Sequence, residues 1–171
     1  MEERAGIVTF KGKSVTLLGP GIQVGDKAPD FRAVDGSLAP VSLSDFKGRI
    51  KIFSCVPSLD TPVCDMETRR FNLEAAKLPD KVVLVTISMD LPFAQKRWCA
   101  AAGVDRVKVL SDYQDRSFAL AYGVLIKELK LLSRSIFVVG ADDRVAYIQH
   151  VREIGTEPDY AEVLGAVQKL L

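Results

Sequence analysis

Ile50-Lys51-Ile52-Phe53-Ser54-Cys55-Val56 runs into Pro57-Ser58-Leu59-Asp60-Thr61-Pro62-Val63-Cys64 and then into Asp65-Met66-Glu67-Thr68-Arg69-Arg70-Phe71. The first segment is a largely apolar run and predicts a buried strand; the last predicts a helix. Thr61-Pro62 carries the helix-start signal between them. With Thr61 as N-cap, Pro62 falls at N1, where a missing N–H is no loss and φ is already helical. Cys64 then occupies N3, where a Thr-x-x-Glu capping box would hold its carboxylate. A sulfur there faces unpaired backbone N–H groups and the positive end of the helix dipole, and both favour thiolate over thiol. Because the thiolate is the nucleophile, the stretch predicts a reactive cysteine at a strand–turn–helix junction.

Outward from that junction the pattern alternates. Strands are expected over 50–56, 82–89 and 107–110, with helices over about 62–77 and 92–102 and a short one over 115–122. Strands 134–139 and 145–151 follow, separated by the turn Ala141-Asp142-Asp143-Arg144, and a last helix starts near Pro158. Alternating strands and helices argue for an α/β layered sheet, and the hairpin 134–151 makes that sheet mixed. A short parallel βαβ core followed by a β-hairpin and a final helix is the thioredoxin-like arrangement. Upstream, Val8-Thr9-Phe10, the turn Lys11-Gly12-Lys13 and Val15 to Leu18 predict an N-terminal β-hairpin extension over 1–20, closed by Gly19-Pro20-Gly21. A second short pair is expected near Arg32–Val34 and Val41–Leu43.

With 171 residues, 48% of them hydrophobic, the chain is expected to form a single domain over 1–171 with a full core. The 23 Lys and Arg against 22 Asp and Glu give no basis for a nucleic-acid or anionic-membrane partner. Met1-Glu2-Glu3-Arg4 lacks the basic-then-apolar pattern of a secretory signal, and no apolar run approaches the ~20 residues of a membrane span. A cytoplasmic setting is therefore expected, where thiols stay reduced and three cysteines imply redox chemistry, metal binding or plain core.

Those three differ in context. Cys55 lies within a strand beside Phe53 and Val56 and reads as core, the usual fate of a free cysteine. Cys64 could be a buried thiol that merely happens to start a helix, but that leaves the Thr-Pro-x-Cys order unexplained. Cys99 follows Asp90-Leu91-Pro92-Phe93-Ala94-Gln95-Lys96-Arg97-Trp98, a helix expected to be capped by Asp90. Its stripe Leu91, Phe93, Ala94, Trp98 suggests core, but beside a reactive thiol elsewhere Cys99 is a candidate resolving partner. A metal site is disfavoured: there is no C-x-x-C or H-x-x-x-H spacing, and His150, the only histidine, reads as an exposed strand residue. The missing C-x-x-C also argues against a thioredoxin-type disulfide exchanger, and one histidine makes a cysteine protease a poor fit.

Pro57-x-x-x-Thr61-x-x-Cys64 resembles the active-site motif of the peroxiredoxins. The longer match, through Gly25-Asp26-x-Ala28-Pro29-x-Phe31, Arg69-x-Phe71-Asn72, Asp90-Leu91-Pro92-Phe93-Ala94-Gln95-x-Arg97-x-Cys99, Ala121-Tyr122-Gly123-Val124 and Thr156-Glu157-Pro158-Asp159-Tyr160, resembles their thiol peroxidase subfamily, the atypical two-cysteine kind. The resemblance covers nearly the whole chain. It implies Cys64 as the peroxidatic and Cys99 as the resolving cysteine, joined in a redox disulfide within one chain. It also implies Thr61 as the hydroxyl that bonds sulfur and peroxide oxygen, Pro57 as the shield of the site, and Arg134 as the cation that reaches it. The implied function is reduction of hydrogen peroxide and alkyl hydroperoxides, recycled by thioredoxin, in a homodimer that needs no metal, haem or flavin. The apolar residues Phe53, Val56, Leu59 and Phe93 would suit an alkyl substrate. Since Cα atoms must come within about 7 Å to bridge, one or both cysteine-bearing helices are expected to unwind in the oxidised state. The competing reading is a peroxide-sensing thiol switch that signals to a partner protein.

Overall fold

A computed structural model describes residues 1–171. The strands are β1 (Glu3–Phe10), β2 (Lys13–Leu18), β3 (Arg32–Val34), β4 (Pro40–Ser42), β5 (Ile50–Cys55), β6 (Val82–Ser88), β7 (Lys108–Ser111), β8 (Leu125–Ile126), β9 (Ser135–Val139) and β10 (Val145–His150). The helices are α1 (Pro62–Ala75), α2 (Pro92–Ala102), α3 (Ser117–Ala121) and α4 (Tyr160–Gln168), with one 3-10 turn at Leu43–Phe46. Seven strands form a mixed sheet in the order β10-β9-β5-β6-β7-β3-β4. Within it β5, β6 and β7 run parallel, while β9, β10, β3 and β4 run antiparallel to their neighbours. This is the thioredoxin-like arrangement that the alternation predicts.

Central strand β5 is buried along its whole length, so its two faces feed two cores. Ile50 and Ile52 pack with Phe71 of α1 and Val163 and Val167 of α4. Phe53 and Cys55 point the other way, into a core closed by α3 and the segment around Phe31. Phe53 makes edge-on contacts with Phe31, Phe46, Phe118 and Tyr122 at centroid separations of 5.5 to 6.2 Å. Each such ring buried from water stabilises the fold by roughly 1.5–3 kcal/mol. Phe53 therefore belongs to the face opposite Cys64, which removes it from the expected apolar surround of that thiol. Lys51 is fully buried in the same strand, its ammonium reaching the Gly140 carbonyl at 3.2 Å and the Asp143 carboxylate. Packed on both faces, β5 is a firm base for the turn and helix that follow it.

The N-terminal hairpin is longer than the apolar pattern alone suggests, and it recruits β8 into a separate three-stranded sheet, β1-β2-β8. At two residues, Leu125–Ile126, β8 is too short to carry a strand pattern of its own. The hairpin is seated by close backbone approach: a Cβ on Gly19 would lie 2.2 Å from the Leu120 carbonyl oxygen, and one on Gly123 would lie 2.1 Å from that of Pro20. Both glycines also have positive φ, +105° and +66°, so no other residue fits either place without strain.

Candidate active site

Helix α1 opens as its sequence predicts. Thr61 is the extended N-cap (φ −98°, ψ 147°), Pro62 follows at the first helical position and Cys64 is third. The Thr61 side chain, however, does not cap the helix; its hydroxyl donates to the Ser58 carbonyl at 2.8 Å. That commits its single proton and leaves its lone pairs as acceptors. Pro57 is buried and Thr61 exposed, while Cys64 is buried with Val56 and Leu59, and Trp98 packs against that cluster. Val56 and Leu59 thus line the thiol as expected, whereas Phe93 is 66% exposed.

Arg134 immediately precedes β9, the antiparallel neighbour of β5, and all three sides of its fork are occupied. Nη2 donates to the Cys64 sulfur at 3.2 Å, Nη1 to Glu67 at 2.5 Å and Nε to the Ile154 carbonyl at 2.8 Å. Glu67 accepts a further bond from the Ser54 hydroxyl at 2.9 Å. Neither member of the ion pair is exposed: Arg134 is 2% and Glu67 0% accessible. Burial works against the charge on Arg134, but Glu67 and Cys64 outweigh it and hold the guanidinium above its ordinary value. Burial pushes the Glu67 carboxyl up, against the pull of Arg134 and Ser54. A guanidinium keeps its charge, and one aimed at a sulfur favours the anionic form of that sulfur. Sequence reasoning did not single out Glu67. The signal was present: three residues after Cys64 on a helix, it must share the face of that cysteine.

Cys99 lies in the last turn of α2, half-buried, with Gly103 (φ 67°) ending the helix; the Gly103 and Val104 N–H groups both meet the Cys99 carbonyl. Burial raises the Cys99 thiol above its ordinary value. All three cysteines are free thiols. The geometry brings Cys64 and Arg134 together, with Thr61 one turn earlier, but Cys99 faces a different cleft. Leu59, Asp60, Thr61, Pro62, Asp65 and Trp98 line an open cleft of about 290 Å³ at the start of α1. Cys99 instead lines one of about 250 Å³ with Gln95, Lys96, Val107 and others. What links the two thiols is their neighbours: the Trp98 indole N–H donates to Asp65 at 3.0 Å. Arg69 completes this clasp, bonded to Asp65 at 3.0 Å and stacked over the Trp98 ring at 5.8 Å.

Two local expectations are corrected. Asp90 does not cap α2; the N-cap is Leu91, without a side-chain bond, because the Asp90 carboxylate is bonded to Ser58, Leu59 and Ser88 instead. His150 is not an exposed strand residue. It is partly buried, its Nδ1 lies 2.9 Å from the Ser135 hydroxyl and its ring stands edge-on to Phe137. Burial, with Arg4 nearby, pulls its pKa down to about 4. Cys55 is fully buried in the core, as its strand context predicts, and burial, with Glu67 and Asp112 adding, pushes its thiol well above the ordinary value. No group of three or more His, Cys, Asp or Glu side chains is arranged to hold a metal ion.

Comparison with known proteins gives the same direction throughout. The Redoxin family profile matches residues 23–164. Thiol peroxidase of Bacillus subtilis is 52% identical over 164 residues, 96% of this chain and 98% of that protein. Thiol peroxidase of Oceanobacillus iheyensis is 53% identical over 162 residues, 95% of this chain and 98% of that protein. Among solved structures, a peroxiredoxin-like protein from Aquifex aeolicus superposes with a TM-score of 0.91 at 40% identity, covering 98% of this chain and 99% of the other. Thiol peroxidase from Chromobacterium violaceum shares the fold, with a TM-score of 0.84 at 22% identity over 95% of each chain.

Proposed function

We propose a division of labour for a chain that belongs to the Redoxin family and is a thiol-dependent peroxidase. Cys64 is the attacking thiolate and Cys99 the resolving thiol. The observation that carries this reading is the Arg134 Nη2 contact to the Cys64 sulfur at 3.2 Å, made by a guanidinium anchored on its other two sides. Such an anchored donor needs no reorganisation at the moment of reaction.

The thiolate attacks one oxygen of the hydroperoxide in line with the O–O bond. That bond breaks, its electron pair leaves with the distal oxygen, and the alkoxide or hydroxide takes a proton to give alcohol or water. Thr61, its own proton on Ser58, accepts the hydrogen bond of the hydroperoxide O–H and so orients it. Arg134 offsets the negative charge that moves from sulfur to oxygen, and Pro57 keeps water from the buried side. Cys64 is left as a sulfenic acid. The Cys99 sulfur then attacks the Cys64 sulfur, water leaves, and an intrachain disulfide forms. A thioredoxin-type dithiol reduces it by thiol–disulfide exchange; thioredoxin itself, in the cytoplasm, is the reductant we propose. The chain works as one unit over 1–171, and the exposed Leu91 and Phe93 suit it to pair as a homodimer.

Peroxide consumption with thioredoxin and its reductase tests the assignment. Cys64→Ser is expected to consume none, and Cys99→Ser to consume one equivalent and stop at the sulfenic acid. Multiple turnovers by Cys64→Ser would overturn it.

A further inference from the structure

Residues 57–61 form the turn between β5 and α1, and every hydrogen bond they make beyond the turn and α1 ends on one carboxylate. Asp90 Oδ1 accepts from the Ser58 hydroxyl at 2.7 Å, and Oδ2 from the Leu59 backbone N–H at 2.8 Å. Asp90 is itself fastened: Oδ2 also accepts from the Ser88 hydroxyl at 2.7 Å, and its carbonyl from the Ser111 hydroxyl at 2.5 Å. The buried Gln95 of α2 closes the cluster, its amide on the Ser88 hydroxyl at 3.0 Å and on the Leu110 carbonyl at 2.8 Å. Ser58 passes the restraint on, because its carbonyl accepts both the Thr61 hydroxyl at 2.8 Å and the Thr61 N–H at 3.1 Å. Through Ser58 and Leu59, one side chain thus restrains where Thr61 and the start of α1 sit.

We propose that Asp90 is a positioning residue for peroxide reduction: a latch that holds Thr61 and Cys64 in the arrangement that meets peroxide, and that must release Ser58 and Leu59 before Cys64 can reach Cys99. The inference rests on the pairing of Cys64 with Cys99 proposed above. Its physical basis is the conflict between the two half-reactions. The first needs α1 intact to its first turn; the second needs that turn open, since Cys64 is buried with Val56 and Leu59 while Cys99 lines a separate cleft. Both cysteines sit at helix ends, where opening breaks few backbone bonds. The opposite end of α2 has no side-chain cap, because Asp90 serves the turn rather than that helix start, and is held instead through Gln95. The latch is thus the polar restraint on the turn itself, beside the Arg134 contact to the Cys64 sulfur and the Trp98 bond to Asp65 that hold the start of α1.

Trp98, the only tryptophan, packs against the Cys64 cluster and precedes Cys99, so its fluorescence reports both steps. Stopped-flow traces with cumene hydroperoxide are to be compared for wild type, Asp90→Asn and Ser58→Ala, each checked for native fold by near-UV circular dichroism. Both variants are expected to slow the peroxide-dependent phase fivefold or more and to speed the peroxide-independent, disulfide-closing phase threefold or more. They should also accumulate less sulfinic acid under excess peroxide, read by mass spectrometry. Phases that stay unchanged, or that slow together, overturn the latch. Should Asp90→Asn fail to fold, Ser58→Ala decides: it removes only the hydroxyl that donates to Asp90 and accepts from the Asp60 N–H at 3.2 Å. Absence of a Cys64–Cys99 disulfide in oxidised wild type would instead overturn the underlying pairing, which separates the two failures.

Discussion

The Arg134–Glu67 pair gives the most demanding prediction, because it separates stability from activity. Glu67→Gln removes one charge from a pair that is 0% and 2% exposed and leaves Arg134 buried without its counter-ion. At an effective dielectric near 20 the attraction of such a pair is about 4 kcal/mol, and breaking a buried pair by removing one member costs about 3–5 kcal/mol. Glutamine can still accept from Arg134 through its one amide oxygen and donate its NH2 to the Ser54 hydroxyl, which puts the expected loss near the lower end, ~3 kcal/mol. Replacing both charges with neutral side chains removes the penalty, so Glu67→Gln/Arg134→Met should recover most of that stability. Activity should not follow. Without a charged donor on the Cys64 sulfur, worth about 1.5–3 kcal/mol, oxidation by peroxide should fall roughly 10- to 150-fold in any background carrying Arg134→Met. Urea denaturation of the reduced proteins reads the stability, and peroxide-dependent quenching of Trp98 reads the rate. A double variant no more stable than Glu67→Gln, or an oxidation rate unchanged in Arg134→Met, would refute the reasoning.

Three further outcomes follow from particular groups. His150 gives one imidazole signal, and in the folded protein that signal should titrate at about 4 by NMR. Since its unfolded value is near 6.5, His150 contributes stability above pH 6.5 that is lost as pH falls toward 4, on the order of 3 kcal/mol, and His150→Gln should flatten that part of the curve. Asp112, raised by burial to about 6, acts with the opposite sign. Its contribution is full below its unfolded value near 3.9 and is lost as pH rises through 6, so Asp112→Asn should steepen the acid-side loss of stability. Finally, Asp65→Ala removes the partner of the Trp98 indole and of Arg69, and should shift Trp98 emission in the reduced state toward that of the oxidised one.

How much of this was legible in the sequence depended on whether a feature is local. The run Ile50 to Phe71 carried the strand, the turn, the Thr61 N-cap and the third-position cysteine, because capping chemistry is written in four consecutive residues. The parallel core and the hairpin of β9 and β10 followed from periodicity. Residues that meet only through the tertiary fold were harder to see. Asp90 reads as a helix cap by its position before Leu91-Pro92, yet it serves Ser58 and Leu59, 32 and 31 positions upstream. Glu67 reads as one polar residue of a helix until Arg134 is placed opposite it, 67 positions away. Phe53 reads as part of the surround of the thiol because it is near in sequence, but strand alternation sends it to the other face of the sheet. His150 misled for a related reason: β10 lies at a sheet edge, but its ring turns in toward Ser135 and Phe137.

The central claim is that Cys64, fully buried when reduced, and Cys99, which lines a separate cleft, are the two ends of one redox bond. One equivalent of cumene hydroperoxide, followed by alkylation and peptide mass spectrometry, tests it most directly. The account predicts an intrachain Cys64–Cys99 disulfide, with Cys55 recovered as a free thiol. A Cys64–Cys55 bond, or a disulfide between chains, would contradict it.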